Sequence, residues 1–142
     1  MSTDGVAAPI PQGDYRPAVL HDGVVYTAGM TPRRDGELVL RGVVGSAVSA
    51  QEAYAAAGIA AENALAAVRS VSTGATYIRC LRMTVYIACA GSFHDLSAVA
   101  DGASAVLAAA LGRDGLPARA AIGVQSLPSG APVEVDLIAA VR

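Results

Sequence analysis

The chain has 142 residues, a length that suits one domain over residues 1–142 and leaves no room for two independent cores. Hydrophobic residues make up 54% and charged residues 15%, which excludes disorder and leaves apolar area that a small monomer does not cover alone, so a homo-oligomer is expected. The net charge is -2, all ten cations are Arg and aromatics stand at 4%; with no basic stripe and no stacking platform, nucleic acid is not an expected partner.

Residues 1–13 hold two prolines and two glycines with little pattern and read as an extended N-terminal arm. Met1 to Gly5 lacks the basic-then-apolar order of a secretory signal. Cys80 and Cys89 read as two reduced thiols, which together points to the cytoplasm. No run of about 18 uninterrupted apolar residues occurs, so no membrane association is expected. Ala18–His21 and Val24–Ala28 flank Asp22-Gly23, a pair suited to the positive φ angles of a type I′ hairpin turn. Gly29 follows the second strand, where a missing side chain lets a ligand or another backbone come close or simply relieves a bend. Asp35-Gly36 makes a further turn, with a short third strand expected over 37–41.

Ser49-Ala50-Gln51-Glu52 forms a capping box, and Tyr54, Ala57, Ala61, Leu65 and Val68 recur behind it at helical spacing, with Glu62 and Asn63 off that stripe. Residues 78–88 alternate: Leu81, Met83, Val85 and Ile87 share one expected face, and Cys80, Arg82, Thr84 and Tyr86 the other. A second helix is expected from Ser92 or Asp95 to Leu111, with Leu96, Val99, Ala103, Leu107 and Ala110 inward. Gly112 would be its left-handed C-cap, and Gly102 inside it points to close packing or a ragged first turn. Strands over 118–124 and 133–140 complete the order β-β-(β)-α-β-α-β-β. That is an α+β fold: a mixed sheet with helices on one face and a second copy of the chain available to cover the other.

No P-loop, no GxGxxG after a strand and no GxSxG elbow is present, so no cofactor is expected. His21 and His94 lack neighbouring ligands and the cysteines lack zinc spacing, so no metal site is expected. The positive signal lies in the last two strands. Arg119 is the one charge in an apolar run, and Val133-Glu134-Val135-Asp136 alternates apolar with acidic. If the two strands form an antiparallel hairpin with Val124 opposite Val133, Arg119, Ala121 and Gly123 share a face with Glu134 and Asp136. Ala and Gly opposite the carboxylate would leave a hollow. A plain cross-strand ion pair fits the pattern equally, and a slip of one residue separates the charges.

Pro117-Ala118-Arg119, Val124, Leu127-Pro128 and Val133-Glu134-Val135-Asp136-Leu137-Ile138-Ala139 resemble the C-terminal signature of the RidA/YjgF family, and Tyr26-Thr27-Ala28-Gly29 and Tyr15 resemble its N-terminal part. The resemblance covers nearly the whole chain. It implies a chorismate-mutase-like fold, a homotrimer with sites between subunits, and cofactor-independent hydrolysis of enamines and imines of the 2-aminoacrylate type to 2-oxo acids and ammonia. Carried over, Arg119 would grip the substrate carboxylate and Glu134 would activate water. Gly29 would line the pocket and Tyr15 close it, with Ala121 standing where many active members have Cys or Thr. Arg119 beside Glu134 would keep the latter ionised. The alternative is a non-catalytic trimer that binds small carboxylates or regulates a partner.

Overall fold

Residues 9–142 are described by the computed structural model; positions 1–8 of the expected arm lie outside the described residues. The Asp22-Gly23 pair makes the expected turn, with φ of 49° and 76°, between β1 (Ala18–His21) and β2 (Val24–Thr27). Two-residue strands β3 (Arg33–Arg34) and β4 (Glu37–Leu38) form a separate ribbon around Asp35-Gly36, shorter than the strand expected over 37–41. The capping box is realised at the head of α1 (Ala50–Ser70): Glu52 N–H donates to Ser49 Oγ at 3.0 Å, and Ser49 N–H donates to Glu52 Oε1 at 3.0 Å.

After β5 (Ile78–Ala88) come α2 (Leu96–Leu111), β6 (Ala118–Val124) and β7 (Val133–Val141). Gly112 closes α2 at φ 81° as a glycine position, but its ψ of 163° is extended rather than left-handed helical. The sheet runs β1-β2-β7-β5-β6, with β5 and β6 parallel and the other neighbours antiparallel. Both helices pack on one face. No helix among the described residues is long and apolar enough to cross a membrane.

The core lies between that face and the helices. Met83, Val85 and Ile87 of β5, and Val133, Val135 and Leu137 of β7, are fully buried there. Burial of each such side chain contributes about 1.5–3 kcal/mol. Against them α1 offers mostly Ala, so its backbone lies close to the sheet. It also lies close to α2: a Cβ on Gly102 would overlap the Tyr54 carbonyl, which accounts for the mid-helix glycine. Tyr54 itself is turned out, 43% exposed, and Asn63 is buried instead. The helical stripe was expected to do the reverse. Asn63 Nδ2 donates to the carbonyls of Thr31 and Arg33, so this polar side chain ties the β2–β3 segment to α1.

The expected alternation of β5 breaks at one end. A β-bulge between Cys80 and Arg82 inserts Leu81, so Cys80 pairs with Ala139 on the buried face and Leu81 is 41% exposed. Burial, only partly offset by Arg69, pushes the Cys80 thiol up to about 11, leaving it an unreactive core group.

Candidate functional site

β6 and β7 do not form the hairpin that would place Arg119 and Glu134 in one hollow. The eleven-residue β5 lies between them, parallel to β6 and antiparallel to β7. Across these three strands one row reads Arg119, Met83, Leu137 and another reads Ile122, Tyr86, Glu134. Met83 and Tyr86 are three apart in a stretch without a bulge, so the two rows face opposite sides of the sheet. Arg119 lies on the helix side and Glu134 on the side no helix covers. Within one chain the two cannot touch the same ligand.

Arg119 is already engaged. Its Nη1 donates to Asp101 Oδ1 at 2.8 Å and to Ser104 Oγ at 2.9 Å, and its Nη2 donates to Ser97 Oγ at 2.7 Å and to the Ser97 carbonyl at 3.3 Å. Of the five guanidinium N–H donors only Nε–H is left over. Ser97, Asp101 and Ser104 come from one side of α2 at helical spacing, a signal in the sequence that went unread. The small residues beyond Arg119 are also occupied by packing. Ala121 rests against the core, and a Cβ on Gly123 would come within 3.0 Å of Cys89 Sγ. They fit the start of α2 and leave no hollow for a carboxylate.

Glu134 is the opposite case. Among the described residues nothing donates a hydrogen bond to it or pairs with it, and no Arg stands beside it to hold it ionised, contrary to expectation. Burial, and then the charge of Asp136 two residues on, raise its pKa above the ordinary carboxylate value. Asp136 is raised as well, chiefly by burial, although Thr84 and the Tyr86 hydroxyl, 3.4 Å from Oδ2, pull the other way. Gly29 decides where the Glu134 carboxylate sits: a Cβ at residue 29 would run into Oε2 and Cδ. The neighbouring bridge Met30–Val135, with N–H to O distances of 2.7 and 2.8 Å, locks the two segments together. Glycine is therefore required here by close approach and not by a bend.

Gly29 and the half-exposed Tyr15 also line a small cavity bounded by Pro9, Thr31, Arg33 and Asn63. The structure thus brings together Tyr15, Gly29 and, on the far side of Gly29, Glu134; it sets Arg119 and Ala121 apart from them. Among the described residues His21 pairs only with Asp22, 3.1 Å away at the surface, and no group of His, Cys, Asp and Glu could hold a metal.

The endoribonuclease L-PSP family model, which takes in the YjgF and RidA proteins, matches residues 5–141. The chain belongs to this family. It is 30% identical to protein TCP17 of Trypanosoma cruzi over 134 residues, covering 93% of this chain and 84% of that protein. The crystal structure of Atu1372 from Agrobacterium tumefaciens, described as of unknown function, is similar at 30% identity and a TM-score of 0.85, covering 97% of this chain and 87% of that one. YjgF of E. coli shares the fold at 21% identity and a TM-score of 0.68, with 95% and 93% covered. TdcF of E. coli, solved with bound serine, does so at 23% and 0.66, with 100% and 96% covered. The L-PSP fold, with two helices on a mixed sheet, is thereby established for this chain.

Proposed function

We propose that this L-PSP family chain hydrolyses reactive enamines and imines of the 2-aminoacrylate type to 2-oxo acids and ammonia. The observation that carries the reading is Glu134, a half-buried carboxylate with no partner among the described residues, set over the bare α-carbon of Gly29. A protonated imine carbon is already electrophilic, so the chemistry asks for water and a proton acceptor. Glu134 takes a proton from water as the new C–O bond forms on the imine carbon. The proton then passes to the amine nitrogen and, as the C–N bond breaks and ammonia leaves, Glu134 takes the proton of the new hydroxyl, so that the carbonyl of the 2-oxo acid forms. A carboxylate whose pKa is raised towards neutrality is a better acceptor for this step than an ordinary surface Glu. Tyr15, which lines the cavity on the other side of Gly29, would serve as a cover in this reading.

Arg119 enters this reading only from a second copy. β6 is the edge strand, so its far side is open to a neighbour, and the uncovered sheet face carries exposed Val19, Tyr26 and Ile122. A homotrimer that buries these residues would bring Arg119 of one protomer towards Glu134 of the next, provided that Arg119 exchanges Asp101 for the substrate carboxylate. TdcF, of the same fold, holds serine, itself a small carboxylate. The engagement of Arg119 by Asp101 favours a second reading, in which the trimer binds small carboxylates without turning them over. RNA cleavage finds less support, because the chain has a net charge of -2 and no Lys.

The test generates imines in situ with an amino-acid oxidase and follows ammonia and 2-oxo acid. Release well above the uncatalysed rate, abolished in Glu134→Gln, is expected. A rate equal to the uncatalysed one across several amino acids overturns hydrolysis, and saturable carboxylate binding in that same protein then selects the binding reading.

A further inference from the structure

Arg33 differs from Arg119 in having no carboxylate partner among the described residues. It is half-buried at the cavity wall, and its three hydrogen bonds all go to neutral acceptors. Nε donates to Thr31 Oγ1 at 3.2 Å, Nη1 to the Gly36 carbonyl at 2.8 Å and Nη2 to Ser129 Oγ at 3.2 Å. Among the described residues no carboxylate lies within salt-bridge distance of it, and two of its five N–H donors have no acceptor there. The same three bonds hold the guanidinium in place, so little side-chain freedom remains to be lost on binding.

Asn63 supplies the complementary atom. Its Nδ2 is identified by two carbonyl acceptors, Thr31 at 3.1 Å and Arg33 at 2.9 Å, so Oδ1 points away from them. No described residue donates to that oxygen. Because no buried side-chain oxygen or nitrogen is left unsatisfied, Oδ1 opens onto space and is not sealed in packing. The Thr31 hydroxyl accepts from Arg33 and the Tyr15 hydroxyl accepts from the Gln12 N–H, which leaves the proton of each free to donate.

We infer that the cavity between the N-terminal arm and α1 is a binding site for small α-hydroxy or α-amino monocarboxylates, with Arg33 as the carboxylate anchor and Asn63 Oδ1 as the acceptor for the α-substituent. The cavity measures about 40 Å³, where one water needs roughly 10–15 Å³, so it takes a carboxylate and its α-carbon but no bulky side chain. A forked guanidinium with two idle donors suits a carboxylate better than a neutral ligand. The inference extends the preceding reading, because Gly29 separates this cavity from Glu134 and a ligand anchored here from within one protomer would not need Arg119. It is tested by binding, so it stands or falls separately from hydrolysis.

The experiment titrates the full chain with glycolate, glycine and acetate by calorimetry, alongside Arg33→Gln and Arg119→Gln. Saturable binding of glycolate and glycine, tighter than that of acetate, is expected, with a loss of about tenfold or more in Arg33→Gln, the size of one charge-assisted pair. Loss in Arg119→Gln with binding kept in Arg33→Gln overturns the assignment and leaves the hydrolytic reading intact. No saturable binding in the parent also overturns it. Equal affinity for acetate and glycolate removes the part given to Asn63. Should Arg33→Gln fail to fold, the Arg33 Nε–H resonance of the unaltered chain is followed during the glycolate titration; a resonance that does not move overturns the proposal.

Discussion

Glu134 and Asp136 stand two apart on the uncovered side of β7, and the charge of Asp136 adds to burial in making Glu134 harder to ionise. Hydrolysis needs Glu134 ionised, so activity is lost as pH falls through its raised pKa, and the acid limb of the rate profile is displaced upward from where an ordinary glutamate would put it. Asp136→Asn removes the lesser of the two causes, and the limb should move to lower pH; an unchanged limb would mean that burial alone sets it. Glu134→Gln should lower turnover by about 10²–10⁴. The same substitution should raise the melting temperature at neutral pH. The sign follows from linkage: a carboxyl whose folded pKa exceeds its unfolded one binds more protons when folded, so stability falls as pH rises between the two values and stays reduced above them. The neutral Gln escapes that penalty, and the difference in melting temperature from the parent should shrink in acid. Nothing in the sequence shows that Glu134 lacks a cation; the residue types were legible, and their pairing was not.

At the scale of elements, the helices were the most legible part. The capping box, the spacing behind it and a glycine after Leu111 are local signals, set by neighbours within a turn or two. Their inward faces were read less well, because α1 is covered both by the sheet and by α2, which buries Asn63 and turns Tyr54 out. Gly102 tests that crossing. An alanine there is favoured by about 1 kcal/mol in helix propensity, yet its methyl would overlap the Tyr54 carbonyl. Gly102→Ala should therefore destabilise by about 1–3 kcal/mol in denaturant melts, as overpacking does; a neutral or stabilised variant would show that the helices separate freely. In β5 the bulge at Cys80–Arg82 reverses the two faces below it, and no residue type there announces an inserted position.

For the whole molecule, the decisive fact is that β5 parts β6 from β7 and so sends Arg119 and Glu134 to opposite sides. If the homotrimer joins them across protomers, Ile122→Asp on the open face should break self-association and turnover together. Sedimentation reads the first and product release the second. Ile122 is 42% exposed, so a folded monomer should survive the change. A variant that remains associated would remove the open face from the interface. By itself the sequence determined the helices, the hairpin at Asp22-Gly23, the α+β class and the family, because caps, turns and periodicities act between residues close along the chain. Only the tertiary structure decided strand order, and with it which charges meet. Pairing between strands is chosen by the burial of whole faces against two helices, a free energy shared by many residues, and no local pattern around Arg119 or Glu134 records it.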